Sequence, residues 1–279
     1  MLKKIVNVTQ VRCSIGQKNP HVNIGSKRII SDLNKTSGKQ IPSTVIKIKT
    51  CEDYESVYMH NKKLCQRPNT ININLGGDHS ISASTIQPYI DHYKKDLLVI
   101  WVDAHADVNT KISSLTNNSH GMPVACLLGL MNHWYNESNE IIENNTHDKK
   151  INRFNKLLPS NLMYCGLRDI DPFEKRIIKN LNIKHFGNFN KKVIKFIKSH
   201  PAKYIYISFD IDSIQPLLMP STGTPVPNGL SIENVEDIIK TSSDRLIGFD
   251  LVEFNPMIGT KQEVKITLNN ITRILKLLL

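Results

Sequence analysis

Leu97-Leu-Val-Ile-Trp-Val102-Asp103-Ala-His105-Ala-Asp107 decides the fold class, because an unbroken apolar run leads straight into three metal-capable side chains. The apolar part reads as a strand and the polar part as a charged site at its end. Alternate residues of an extended strand share a side, so continued extension predicts that Asp103, His105 and Asp107 converge, with Ala104 and Ala106 leaving room between them.

Two other segments repeat the pattern. Tyr204-Ile-Tyr-Ile-Ser-Phe-Asp210-Ile-Asp212 is an apolar run closed by two carboxylates, and Ile71-Asn-Ile-Asn-Leu-Gly-Gly-Asp78-His79-Ser80 ends in glycines that allow a sharp turn and present a histidine. An oxygen-rich set with imidazole and no thiolate suits a hard or borderline divalent ion such as Mn²⁺ better than a structural zinc site. Converging carboxylates repel one another in a low-dielectric cleft unless cations neutralise them. Two ions about 3.5–4 Å apart, bridged by shared aspartates, meet that need and make a hydrolytic site.

Strand-like stretches alternate with helical ones: 72–75 precedes a helix at 81–92, 97–102 one at 121–130, and 204–209 one at 232–239. The alternation predicts an α/β fold in which a parallel sheet carries helices on both faces. Ligands of such folds bind at the carboxyl ends of the strands, where every metal candidate lies. The segment Met1 to Val6 enters a strand pattern with no signal-peptide apolar region. Near the other end, Thr260-Lys-Gln-Glu263 is a capping box opening a helix with Val264, Leu268, Ile271, Ile274, Leu275 and Leu278 on one face. That amphipathic pattern is a packed helix rather than a membrane span. The asparagine-rich segment 132–150 reads as a surface loop, and no linker divides residues 1–279, so one domain is expected.

The formal charge of +11 comes from lysines scattered through every segment, without a nucleic-acid motif or aromatic stacking pattern. No specific nucleic-acid partner is expected. Five cysteines form no Cys-x-x-Cys, which fits reduced thiols in a cytoplasmic protein. Histidines 21, 60, 92, 133, 147, 185 and 200 have no motif around them and read as structural or solvated.

Gly76-Gly-Asp-His79, Asp103-Ala-His-Ala-Asp107 and Ser208-Phe-Asp-Ile-Asp212, in that order, resemble the arginase and ureohydrolase family. The resemblance extends to Ser14-Ile-Gly16-Gln17, Gly166-Leu-Arg-Asp-Ile-Asp171-Pro, Ser221-Thr-Gly-Thr224-Pro and Phe249-Asp250-Leu-Val-Glu253-Phe-Asn-Pro256. It implies an arginase-like three-layer fold and two Mn²⁺ per subunit, one held by His79, Asp103, Asp107 and Asp210, the other by His105, Asp103, Asp210 and Asp212. A water shared by the ions would attack a guanidinium carbon, Asp107 would pass a proton to the leaving amine, His120 would relay protons to solvent, and Glu253 would hold the guanidinium. A buried glutamate facing cations is costly unless a cation pairs with it, and a guanidinium matches a carboxylate bidentately.

The segment Asp107-Val-Asn109-Thr-Lys-Ile-Ser-Ser-Leu-Thr116-Asn-Asn118-Ser-His120 resembles the arginase form of that loop. Asn109, Thr116 and Asn118 are uncharged donors for an α-carboxylate, and Asp171 offers charge to an α-amino group; Thr224 belongs to the substrate set by resemblance. L-arginine, giving L-ornithine and urea, is the expected substrate. Agmatinase, formiminoglutamase or another guanidino or formimino ureohydrolase is the alternative, and a non-catalytic metal-stabilised binding protein a more distant one. The chain departs from the family pattern at Lys111, Thr116, Asn117 and Gln215. It ends at Leu279, where animal arginases carry a further tail that helps hold a trimer, so a homo-oligomer is compatible with the sequence but not specified by it.

Overall fold

The computed structural model describes residues 4–132 and 154–279; most of the segment read as a surface loop lies outside them. Eight strands, β1 (Ile5–Arg12), β2 (Thr44–Lys47), β3 (Thr70–Leu75), β4 (Leu97–Val102), β5 (Leu162–Cys165), β6 (Lys184–Phe186), β7 (Tyr204–Asp210) and β8 (Leu246–Val252), form one sheet in the order β2-β1-β3-β8-β7-β4-β5-β6. Every pairing is parallel.

Helices cover both faces, as the alternation predicted. On one face α1 (Gly25–Ser37), α6 (Lys191–Ser199), α7 (Ile232–Ser242) and α8 (Lys261–Leu275) pack against Leu98, Ile100 and Val102. On the other, α2 (Asp53–Cys65), α3 (Ser82–Tyr93), α4 (Pro123–Leu127) and α5 (Pro172–Asn180) pack against Leu97, Val99 and Trp101. The continuous apolar run of β4 is thus split by strand alternation between two cores. Each fully buried aliphatic side chain there contributes roughly 1.5–3 kcal/mol relative to exposure. At the start of α8, Thr260 Oγ1 accepts from the Glu263 N–H and Glu263 accepts from the Thr260 N–H, forming the predicted capping box.

The helix expected at 121–130 is shorter. A 3-10 turn at Ser119–Gly121 precedes it, Pro123 begins α4, and Gly129 takes a left-handed φ of 69° that ends the helical path. Among the described residues no helix is long and apolar enough to cross a membrane.

The sheet order places β3, β8, β7 and β4 side by side at its centre. The motifs at Gly76–His79, Asp103–Asp107, Ser208–Asp212 and Phe249–Pro256 end or follow these four strands, so residues remote in sequence meet at one edge.

Candidate metal centre and active-site cleft

Three motif segments turn by the same local device. The main-chain N–H two residues after an aspartate donates to its carboxylate: Ser80 to Asp78 at 3.1 Å, His105 to Asp103 at 2.7 Å, and Asp212 to Asp210 at 2.8 Å. Such Asx turns stop a strand and fix the carboxylate that starts them. Convergence by continued extension is therefore corrected: β4 ends at Val102, residues 103–107 form a turn and loop, and Asp107 takes a left-handed φ of 50°. Asp212 likewise sits in a 3-10 turn, Ile211–Ser213, rather than on β7. In the Gly76-Gly77 turn, a Cβ on Gly77 would overlap the Cys13 carbonyl, so only glycine permits that approach.

These turns gather the six predicted ligands into two joined clusters. Nδ1 of His79 lies 3.0 Å from Asp103 Oδ2, 3.0 Å from Asp107 Oδ2 and 3.3 Å from Asp210 Oδ2. Nδ1 of His105 lies 3.0 Å from Asp212 Oδ2 and 3.5 Å from Asp103 Oδ1. Asp103 therefore faces one imidazole with each of its oxygens. Asp210 joins the first cluster and reaches the second through its bond from the Asp212 N–H.

Burial, reinforced by the charge of Asp103, raises the Asp107 carboxyl to about 6. Burial with Asp212 and Asp103 pushes Asp210 well above the carboxylate range, and burial with Asp103 raises Asp212. The carboxylates thus destabilise one another's charge. His79 Nδ1, although enclosed by three carboxylate oxygens, makes no contact of hydrogen-bond geometry. A buried nitrogen without a hydrogen-bond partner inside an acidic, thiolate-free cage fits a divalent cation, and the residues pass that test.

Sequence reasoning passed over the groups that steady these ligands. Trp101 Nε1 donates to Asp103 Oδ2 at 3.0 Å and its ring stacks on His79 at 4.3 Å. Ser208 Oγ lies 2.9 Å from His79 Nε2, and Asp169 Oδ2 3.7 Å from His105 Nε2. Trp101 and Ser208 each stand two residues before a ligand aspartate, so period-two reading of the strands could have found them. Thr224, expected in the substrate set, lines the cleft, and its Oγ1 donates to Asp212 Oδ2 at 3.0 Å.

A cleft of about 260 Å³ opens over the clusters, lined by Asn109, Thr116, Asn118, His120 and Asp171 among others. Asn109 Nδ2 donates to Asp171 Oδ2 at 2.8 Å. Glu174, unremarked in the sequence, also lines the cleft and accepts from the N–H groups of Val108 at 3.1 Å and Asp171 at 3.0 Å. Burial lifts its carboxyl to about 7 despite the Asp171 N–H. The Asp-Pro-x-Glu spacing at the start of α5 was its available signal.

Glu253 is 3 % exposed and adopts a left-handed φ of 68°. Its Oε1 accepts from the His79 N–H at 2.8 Å and lies 3.2 Å from His120 Nδ1, while Oε2 accepts from Gln17 Nε2 at 2.7 Å. His120 is tied in turn through its N–H to the Gly16 carbonyl at 3.0 Å. Burial opposes charge on His120, but Glu253 outweighs it and raises the imidazole to about 9.

An all-parallel eight-stranded sheet covered on both faces, with two imidazole–carboxylate clusters joined by Asp103 at its centre, defines an α/β protein with a candidate cation-binding centre. Comparison with known proteins gives the family. The arginase family model matches residues 8–277. Rat arginase-1 is 35% identical over 223 residues, covering 73% of this chain and 64% of its own length. The arginase of Neurospora crassa is 33% identical over 265 residues, covering 88% of this chain and 64% of its own length. The match thus spans just under two thirds of each curated relative. Among solved structures, Entamoeba histolytica arginase in complex with L-ornithine superposes with a TM-score of 0.80 at 29% identity, covering 98% of this chain and 99% of that one. Bacillus caldovelox arginase shares the fold with a TM-score of 0.80 at 23% identity, covering 97% and 98%. The chain belongs to the arginase family.

Proposed function

We propose that this chain is a single catalytic unit that hydrolyses the guanidinium group of L-arginine to L-ornithine and urea with two Mn²⁺ ions. The observation that carries this is Asp103 presenting one oxygen to each of two imidazoles, with the His79 Nδ1 atom lacking a hydrogen-bond partner. His79, Asp103, Asp107 and Asp210 would hold one ion; His105, Asp103, Asp210 and Asp212 the other. When bound, the ions supply Lewis-acid activation of a water nucleophile.

The chain's own residues do the rest. Glu253 is kept charged by His120, the His79 N–H and Gln17, and offers its carboxylate to the guanidinium, fixing the carbon under attack. Asp107 carries a proton toward the leaving amine. His120, partly exposed in the cleft, exchanges protons between Glu253's surroundings and solvent. At the outer end, Asn109, Thr116 and Asn118 donate to the α-carboxylate, and Asp171, held by Asn109, meets the α-amino group. Agmatine lacks the carboxylate, leaving those donors unpaired. The L-ornithine held by the Entamoeba relative carries the same α-amino and α-carboxylate groups, which supports this assignment. Cytoplasmic residence belongs to the same proposal, and a homo-oligomer is compatible with it.

The test is turnover by Mn²⁺-loaded protein of L-arginine, agmatine, guanidinobutyrate and formiminoglutamate side by side. L-arginine should have the highest kcat/KM; a preference for agmatine or another amidine would overturn the substrate assignment.

A further inference from the structure

Behind the cleft lies a buried carboxylate that the proposed mechanism does not use. Asp250 on β8 is fully buried and does not line the cleft. Four donors converge on it: Tyr206 Oη at 2.5 Å and Asn74 Nδ2 at 2.9 Å on Oδ1, and Ser82 Oγ at 2.8 Å and Thr85 Oγ1 at 2.7 Å on Oδ2. Burial raises its carboxyl above the ordinary range, and the four hydrogen bonds oppose that shift in favour of the carboxylate.

The Ser82 bond does more than satisfy Asp250. Ser82 Oγ also lies 3.1 Å from Ser208 Oγ, which lies 2.9 Å from His79 Nε2, and all of these groups are buried. A hydroxyl has one proton and an ionised carboxylate has none. Ser82 must spend its proton on Asp250, so it accepts from Ser208; Ser208, its proton spent, accepts from the Nε2–H of His79. The direction of every bond follows from the acceptor at the end of the line.

We propose that Asp250 is a positioning residue for His79: acting through Ser82 and Ser208, it holds the imidazole proton on Nε2 and turns the Nδ1 lone pair toward Asp103, Asp107 and Asp210. The inference rests on the metal assignment above and extends it three residues further into the core, through Ser208 and Ser82 to Asp250. Thr85 supplies the control, since its hydroxyl donates to the same Asp250 oxygen but lies off the line to His79.

Mn²⁺ binding to the metal-free full chain is measured by calorimetry for wild type, Ser82→Ala, Asp250→Asn and Thr85→Val, alongside thermal melting. Ser82→Ala cuts the line, and Asp250→Asn can present an amide N–H to Ser82 and reverse it. Both should weaken one of two Mn²⁺ ions by roughly 10- to 100-fold, the usual effect of losing an outer partner of a ligating histidine, and leave the other ion near wild type. Thr85→Val should lower the melting temperature with both affinities retained. Unchanged affinity in Ser82→Ala, equal weakening of both ions, or an equal loss in Thr85→Val would overturn the proposal. If Asp250→Asn fails to fold, Ser82→Ala decides. Wild type that binds fewer than two Mn²⁺ would defeat the metal assignment itself, and this inference with it, before any variant is compared.

Discussion

Glu253 Oε1 lies 3.2 Å from Nδ1 of His120, so the buried carboxylate assigned to the guanidinium and the partly exposed imidazole assigned to proton relay form one pair. The pairing links pH to both stability and turnover.

His120 titrates at about 9 in the fold against an ordinary value of 6.5. A histidine whose folded pKa is raised stabilises the fold fully below its unfolded value, and that stability is lost as pH climbs through the folded one. At about 1.4 kcal/mol per unit the pair contributes at most roughly 3 kcal/mol. Urea unfolding of metal-free protein should therefore show wild type losing stability between about pH 6.5 and 9 relative to His120→Asn. Parallel pH profiles for the two proteins would refute the coupling.

Glu253→Gln keeps the side-chain shape and removes the charge that offsets the guanidinium. Losing one member of a buried charge pair costs on the order of 3–5 kcal/mol, so kcat/KM for L-arginine should fall by roughly 10²-fold or more. Metal content should stay at the wild-type level. Loss of Mn²⁺, or activity within a few-fold of wild type, would remove Glu253 from the substrate.

Asn118 makes no side-chain hydrogen bond to a described residue and lines the cleft. Asn118→Ala therefore breaks no described internal bond. Removing one donor to a charged carboxylate costs about 1.5–3 kcal/mol, so kcat/KM for L-arginine should drop at least tenfold while that for agmatine stays unchanged. Equal losses on both substrates would mean that Asn118 shapes the loop and does not read the carboxylate.

Much of the fold was legible because β4 and β7 are apolar runs that can be satisfied only between two layers of helices. The edge strands β2 and β6 were not, since Thr44, Val45 and Lys47, and Lys184 and His185, are exposed and leave little apolar pattern. In the candidate site, motif chemistry identified which side chains cluster, but not how. Asx turns at Asp103 and Asp210 and left-handed backbones at Asp107 and Glu253 are decided by local hydrogen bonds and tertiary packing, which side-chain periodicity does not encode. Glu174 escaped notice because its role depends on α5 docking it beneath the loop at Val108.

Metal content of Asp103→Ala set against His79→Ala tests the shared-ligand centre most directly. Asp103 faces both imidazoles, so its removal should abolish binding of both ions, whereas His79→Ala should weaken mainly one. Two Mn²⁺ per chain in wild type, close to none in Asp103→Ala and an intermediate content in His79→Ala is the expected result by elemental analysis after dialysis. Two ions retained by Asp103→Ala would contradict the assignment.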